Sequence, residues 1–302
     1  MKELKKQNKI IMANYILTNS LLQIKISSKG AELQSIFHKQ HQLEYMWSGD
    51  ANFWGKKSPV LFPIVGGLKN NTYIYKGNSY SLSRHGFARD SEFIATHQTE
   101  NSITFSIHSN EQTLKAYPFL FRFSVQYELE NDKLYVHYLV ENIGADEMYF
   151  SVGAHPAFKV PLIDELAFND FYLQFNKAEN AVQWLLSADG LIEKKSIQLL
   201  NNTNQLKLTK ELFYGDALVF KQLLSNTISI VSNKTAHGLK VQFDDFPFTG
   251  IWSAKDANFV CIEPWCGIAD SVDTNQDITQ KEGINILLPQ ENFKKTWSVE
   301  VF

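Results

Sequence analysis

Cysteine is scarce in this chain: two residues in 302, Cys261 and Cys266. The four-residue gap between them fits none of the common zinc or redox spacings, and two thiols cannot build a disulfide framework for a chain this size. No apolar run is long enough to span a bilayer. Near the start, Lys2, Lys5, Lys6 and Lys9 precede only Ile10 to Ala13, which is too short for the core of a signal peptide. Residues 1–12 are expected to be a solvated leader, with Met12 as an alternative start. With no export signal and few thiols, the expected compartment is the cytoplasm. The formal net charge is −3, so no broad basic surface is expected to grip nucleic acid or anionic lipid.

Several catalytic signatures are also missing. There is no Gly-x-Ser-x-Gly elbow for a serine nucleophile. No His-Glu-x-x-His or comparable ligand spacing suggests a catalytic metal, and Gly66-Gly67 is not followed by the Lys and Ser or Thr of a phosphate loop. No fixed-period repeat appears, which argues against a propeller. No linker or change of composition divides the chain, so residues 13–302 read as one continuous domain.

What the chain does have is alternation. Phe119, Phe121, Phe123, Val125, Tyr127 and Leu129 interleave with Arg122, Ser124, Gln126, Glu128 and Glu130. That is the period-2 pattern of a strand with one buried face. Asn131 and Asp132 supply turn chemistry, and Leu134, Val136, Tyr138 and Val140 resume the pattern as a hairpin partner. Shorter strands are expected at Leu22–Ile26, Ile103–Ile107, Ile228–Ile230 and Leu239–Phe243. Aromatics make up 13% of the chain, which suits pleated, half-buried surfaces. With no long helical period, the expected fold is all-β, with antiparallel sheets packed face to face.

Three polar clusters interrupt the strands. In Arg84-His85-Gly86-Phe87-Ala88-Arg89-Asp90, two arginines flank a histidine and favour its neutral form. A solvated surface turn is the alternative. In Ser151-Val152-Gly153-Ala154-His155-Pro156-Ala157-Phe158, small residues and a stiffening proline surround a histidine. It is either a cleft residue or a core imidazole bonded to a carbonyl. In Cys261-Ile262-Glu263-Pro264-Trp265-Cys266, a carboxylate lies in an apolar run, where it is costly unless paired or used. Trp265 offers a ring face to a ligand, and a Glu263 that merely caps a turn is the alternative. Two imidazoles and one carboxylate suit a cofactor-free reaction that moves protons between side chains and substrate.

In their order and separation, these three motifs resemble the aldose 1-epimerase family, and within it the LacX-like branch of lactic acid bacteria. Leu61-Phe62-Pro63-Ile64-Val65-Gly66 and Lys69-Asn70-Asn71-Thr72-Tyr73 fit the same branch. The resemblance covers nearly all of the chain after the leader. It implies a galactose mutarotase-like supersandwich, a large antiparallel β-sandwich with a sugar cleft on one concave sheet. It also implies interconversion of the α and β anomers of a hexose such as galactose or glucose, with a small-molecule sugar as substrate and no cofactor or metal. By the same resemblance, His155 is the general acid at the ring oxygen and Glu263 the general base at the anomeric hydroxyl. His85 holds and polarises the sugar and Asp216 binds hydroxyls; the local reading of the residues adds Arg84, Arg89 and Trp265 to the expected binding set. The oligomeric state is not fixed by the sequence.

One position departs from the pattern. Relatives carry a sugar-contacting arginine after the equivalent of Gly66, where this chain has Gly67. Arg84, Arg89 and Lys69 are the cations that could reach the space. The alternatives to a free-hexose epimerase are a hexose-6-phosphate 1-epimerase, which Arg89 favours and Gly67 disfavours, and a carbohydrate-binding protein without catalysis.

Overall fold

The computed structural model describes residues 13–302. The expected leader and the candidate start at Met12 lie outside the described residues. The expected hairpin forms from Phe121–Glu130 and Lys133–Asn142, paired antiparallel with Tyr127 opposite Val136 and Val125 opposite Tyr138. Asn131 makes the turn at φ 54°, a left-handed conformation that asparagine tolerates well. The first strand starts two residues later than the alternation suggested. Pro118, which has no N–H for a ladder, precedes it. Phe119 stays in the core even so, packed on Tyr75 and Tyr117 with ring centroids 4.7 Å away in each case.

The large sheet runs from Val152–Gly153 through Phe259–Cys266, Phe248–Trp252, Leu218–Lys221, Phe171–Leu186, Thr227–Ser232, Leu239–Gln242 and Asn292–Val301. It continues through the hairpin to Ser102–His108 and ends at Ile94–Gln98. A four-stranded sheet built from Asn14–Thr18, Leu22–Ser27, Glu32–His38 and Leu43–Glu44 packs against its far half. Leu22, Ile24 and Ile26 share one core with Phe123, Val125 and Tyr127. Tyr127 ties the layers by donating its hydroxyl to Ala31 O at 2.6 Å. The paired strands are antiparallel throughout, so the fold is the expected all-β architecture of large antiparallel sheets. No helix among the described residues is long and apolar enough to cross a membrane.

Alternation did not reveal one large element. Phe171–Leu186 and Ile192–Lys207 form a hairpin of two 16-residue strands. Their pairing shifts register at four places, and much of the second strand is exposed on both faces, so no clean period survives. The hairpin tip, with Leu186, Gly190 and Ile192, reaches a cavity over the Phe259–Cys266 end of the large sheet.

Candidate active site

The centre of the site follows from strand register. Val152–Gly153 and Ala157–Lys159 both pair with Phe259–Cys266, with Gly153 opposite Trp265 and Ala157 opposite Cys261. Both pairs of numbers sum to 418, so His155, midway between them, falls opposite Glu263. Ala154 N–H donates to Pro264 O at 3.0 Å and keeps the two chains in register across the gap. Directly opposed residues on antiparallel chains project to the same face. His155 Nε2 accordingly lies 3.4 Å from Glu263 Oε2.

Both groups are almost out of water, Glu263 at 1% exposure and His155 at 8%. Burial drives the Glu263 carboxyl well above the usual range, and the charge of Asp216 pushes it the same way, while the Trp265 indole opposes the rise. Burial lowers the His155 imidazole to about 3, and Arg89 and Arg84 add to the fall against a backbone contact that raises it. Both shifts favour the uncharged forms, a neutral imidazole beside a protonated carboxyl. Neither Glu263 Oε2 nor His155 Nδ1 has a hydrogen-bond partner among the described residues. The 3.4 Å approach is a contact without hydrogen-bond alignment.

Trp265 lies two residues beyond Glu263 on the same face. Its indole lies across two glycines: a Cβ on Gly250 would come within 2.4 Å of the ring, and one on Gly153 within 2.7 Å. The absence of side chains on the two flanking strands makes the slot that holds this ring at the cavity wall.

His85 enters from the other side on a backbone turn with positive φ at both His85 (68°) and Gly86 (71°). Gly86 has no alternative, because a Cβ there would lie 2.4 Å from Phe62 O. The Gly66 N–H donates to His85 Nδ1 at 3.2 Å. In the neutral ring this leaves the proton on Nε2, available to the cavity. Burial lowers the His85 pKa well below its ordinary value, with His155, Arg89 and Arg84 adding to the effect. The two arginines thus favour the neutral form as the sequence suggested, though burial matters more. The His85 and His155 rings meet edge-on with centroids 5.6 Å apart.

All seven residues singled out from the sequence line one cavity of about 530 Å³, a size typical of small-molecule sites. Arg84 passes over Gly190 and donates to Asp189 O at 3.2 Å. Arg89 Nε is buried without a hydrogen-bond partner among the described residues. Asp216, at φ 83°, accepts from Ala217 N–H at 2.7 Å on one carboxylate oxygen. Lys69 does not reach the cavity, because its Nζ donates to Val272 O at 2.8 Å. Its loop is fixed from beneath by Asp270, which accepts from Lys69 N–H at 2.9 Å and from the buried Lys281 ammonium at 2.7 Å. Gly67 does not have a left-handed backbone, and a Cβ there would meet only Asp189 O at 3.7 Å, Leu191 Cδ2 at 3.8 Å and Gly190 O at 3.9 Å. The position therefore has room for a side chain.

The sequence reading missed other cavity residues. Trp54 stacks on His155 at 4.9 Å with a 25° tilt, and Trp252 meets the same imidazole edge-on at 5.5 Å. Lys255 adds a third cation to the wall. Cys261 does not line the cavity but lies behind it, close to His155 and Glu263, although its spacing from Cys266 carried no metal signature. The abundance of tryptophan was the only available signal for Trp54 and Trp252, and it did not single out either one.

A family model described as aldose 1-epimerase matches residues 14–286. The chain is 32% identical over 294 residues to the chromosomal protein LacX of Lactococcus lactis subsp. lactis, covering 94% of this chain and 98% of that one. A solved galactose mutarotase related enzyme from Lactobacillus acidophilus superposes with a TM-score of 0.92 at 37% identity, over 96% of this chain and 97% of that one. A galactose mutarotase-like protein from Lactobacillus casei gives a TM-score of 0.90 at 30% identity, over 96% and 100% of the two chains.

Proposed function

The chain belongs to the aldose 1-epimerase family, and on that premise we propose that it interconverts the α and β anomers of a hexose by acid–base chemistry. The observation that carries this reading is the buried His155–Glu263 pair, 3.4 Å apart and lining a cavity of small-molecule size.

Anomer exchange takes a proton from the anomeric hydroxyl and delivers one to the ring oxygen. In this reading the pair shares one exchangeable proton, which burial favours on Glu263. Transfer to His155 generates the working form, a carboxylate base beside an imidazolium acid. Glu263 then accepts the proton of the anomeric hydroxyl as His155 protonates the ring oxygen, and the C1–O5 bond opens to the aldehyde. Rotation about C1–C2 presents the other carbonyl face. On reclosure His155 recovers its proton from the ring oxygen and Glu263 returns one to O1. The enzyme ends as it began, with no net change in protons or electrons. In this reading the His85 Nε2–H donates to a sugar oxygen, Arg84, Arg89 and Asp216 hold hydroxyls, and Trp265 and Trp54 offer apolar faces to the ring.

Polarimetry on freshly dissolved α-galactose and α-glucose tests the proposal. Catalysed decay of rotation is expected, and decay no faster than buffer across free and phosphorylated hexoses would refute it. A second reading, a hexose phosphate as substrate, draws support from three cations, Arg84, Arg89 and Lys255, on the wall of the same cavity. Higher kcat/KM for hexose 6-phosphates than for the free sugars would select it.

A further inference from the structure

Cys261 has no part in the proposed sugar chemistry, yet its position is specific. It lies two residues before Glu263 and shares that residue's face of the strand. Ala157 is opposite it, two residues from His155. A ring nitrogen of His155, the Cys261 sulfur and a Glu263 carboxylate oxygen all lie within 4.8 Å of one another, and all three residues are buried. Two ligand atoms held about 2.0–2.1 Å from a tetrahedral ion are separated by about 3.4 Å. His155 Nε2 and Glu263 Oε2 already stand 3.4 Å apart. A nitrogen and a thiolate around the same ion would be separated by about 3.6 Å, so the sulfur needs to close by at most about 1.2 Å. The second, independent sign of a ligand is the Glu263 Oε2 atom, buried without a hydrogen-bond partner among the described residues.

We propose that His155, Cys261 and Glu263 form a site for a thiophilic divalent cation, of which Zn²⁺ is the representative, and that the ion and the sugar exclude each other. A nitrogen and an oxygen donor alone would suit many ions, but the sulfur selects zinc over magnesium or calcium. Three protein ligands leave a fourth position for water on the cavity side. On binding, the thiol and the carboxyl each release a proton to solvent, so one dication replaces two protons. The ion occupies the lone pairs through which His155 and Glu263 would exchange protons. It therefore acts as an inhibitor, and the sugar reaction has no use for it.

The test is a calorimetric titration of the metal-free full chain with zinc alone, run in parallel with a cobalt(II) titration followed by absorbance. The proposal predicts one zinc ion at this site and a near-ultraviolet thiolate-to-cobalt band. Cys261→Ala should abolish the band and weaken zinc binding by at least the ~10–100-fold that even outer partners of a metal site are worth. Cys261→Ser, closer in volume, should do the same and guards against a packing artefact, and Glu263→Gln should also weaken binding. Zinc should slow anomer exchange by the wild type, with recovery on adding a chelator. Cys261→Ala should retain normal exchange and lose the zinc sensitivity. The stacked His38 and His41, with His237 beside them, are another place for zinc to bind. They supply no sulfur, so the cobalt band separates the two. Equal zinc affinity in wild type and Cys261→Ala, or a cobalt complex without a thiolate band, would overturn the proposal. Because metal binding is read directly, either result holds whether or not the sugar reaction is as proposed.

Discussion

At the Phe121–Glu130 end of the large sheet, inward polar atoms are paired. Tyr127 OH donates to Ala31 O, and Trp297 Nε1 donates to Tyr138 OH at 3.0 Å; on the opposite face the buried Ser106 and Ser124 hydroxyls meet at 2.7 Å. At the Phe259–Cys266 end, on the same kind of antiparallel backbone, Glu263 Oε2, His155 Nδ1 and Trp265 Nε1 are buried without partners among the described residues. Arg89 Nε shares that condition, and all four residues line the one cavity. An unsatisfied buried polar group costs about 1–3 kcal/mol. Three further partnerless atoms among the described residues, His137 Nε2, Ser151 Oγ and His237 Nδ1, lie away from the cavity, but four are gathered at it, where a ligand can supply the missing partners. The difference separates what holds the molecule together from what it acts with.

Substitutions at the two ends should therefore fail in opposite ways. His155→Asn should slow anomer exchange by roughly 10²–10⁴-fold, the usual worth of a general acid–base group, with a Tm close to wild type. A normal rate with a collapsed Tm would make His155 a core residue and erase the distinction. Phe123→Ala, at the Phe121–Glu130 end, should cost about 3–5 kcal/mol of stability in urea unfolding and leave kcat of the folded protein unchanged.

A third prediction concerns pH. Unfolded His155 titrates near 6.5 and folded His155 near 3, while Glu263 titrates near 4.5 unfolded and well above that when folded. Between 4.5 and 6.5 the unfolded state binds more protons at His155 and fewer at Glu263, so the two contributions oppose each other. Below 4.5 only His155 differs, the unfolded state holds more protons, and stability falls as pH falls towards 3. The raised Glu263 carboxyl makes the unfolded state hold fewer protons once pH exceeds 4.5, so its contribution to stability falls as pH rises through the folded pKa. Denaturation across pH should show these two opposing contributions in the difference between wild type and variants. His155→Asn should remove the acid arm and Glu263→Gln the alkaline arm. The smallest effect is expected for Gly67→Arg, which the backbone and the open space accommodate. One added charge-assisted hydrogen bond to the sugar should lower KM by about tenfold. An unchanged KM in a folded variant would show that Arg84, over the neighbouring 189–190 turn, already fills that role.

The Phe121–Glu130 end was readable because alternation is a local signal. Phe121 to Leu129 and Leu134 to Val140 give both strands, the turn and the buried face within one stretch of sequence. The site was readable in part, since His85, His155 and Glu263 each occur in a distinctive polar cluster. Their convergence came only from the family resemblance and not from the residues themselves, because it depends on a register shared by strands more than a hundred residues apart. The slot for Trp265 depends on absent side chains at Gly153 and Gly250, which leave no periodic mark. Trp54, Trp252 and Lys255 lie in segments with no motif. The Phe171–Leu186 and Ile192–Lys207 hairpin escaped because bulges break its period and solvent covers much of its surface.

The active-site assignment stands or falls with Glu263, which is held to be buried for chemistry and to contribute little to packing. Exchange spectroscopy by NMR on a single hexose sample, with wild type and Glu263→Gln at matched concentrations, measures α-to-β interconversion and sugar binding together. The amide keeps the shape of the carboxyl but cannot accept the anomeric proton. Sugar signals should still broaden on binding to Glu263→Gln while interconversion drops by roughly 10²–10⁴-fold. Interconversion by Glu263→Gln at close to the wild-type rate would rule out a catalytic role for the carboxyl.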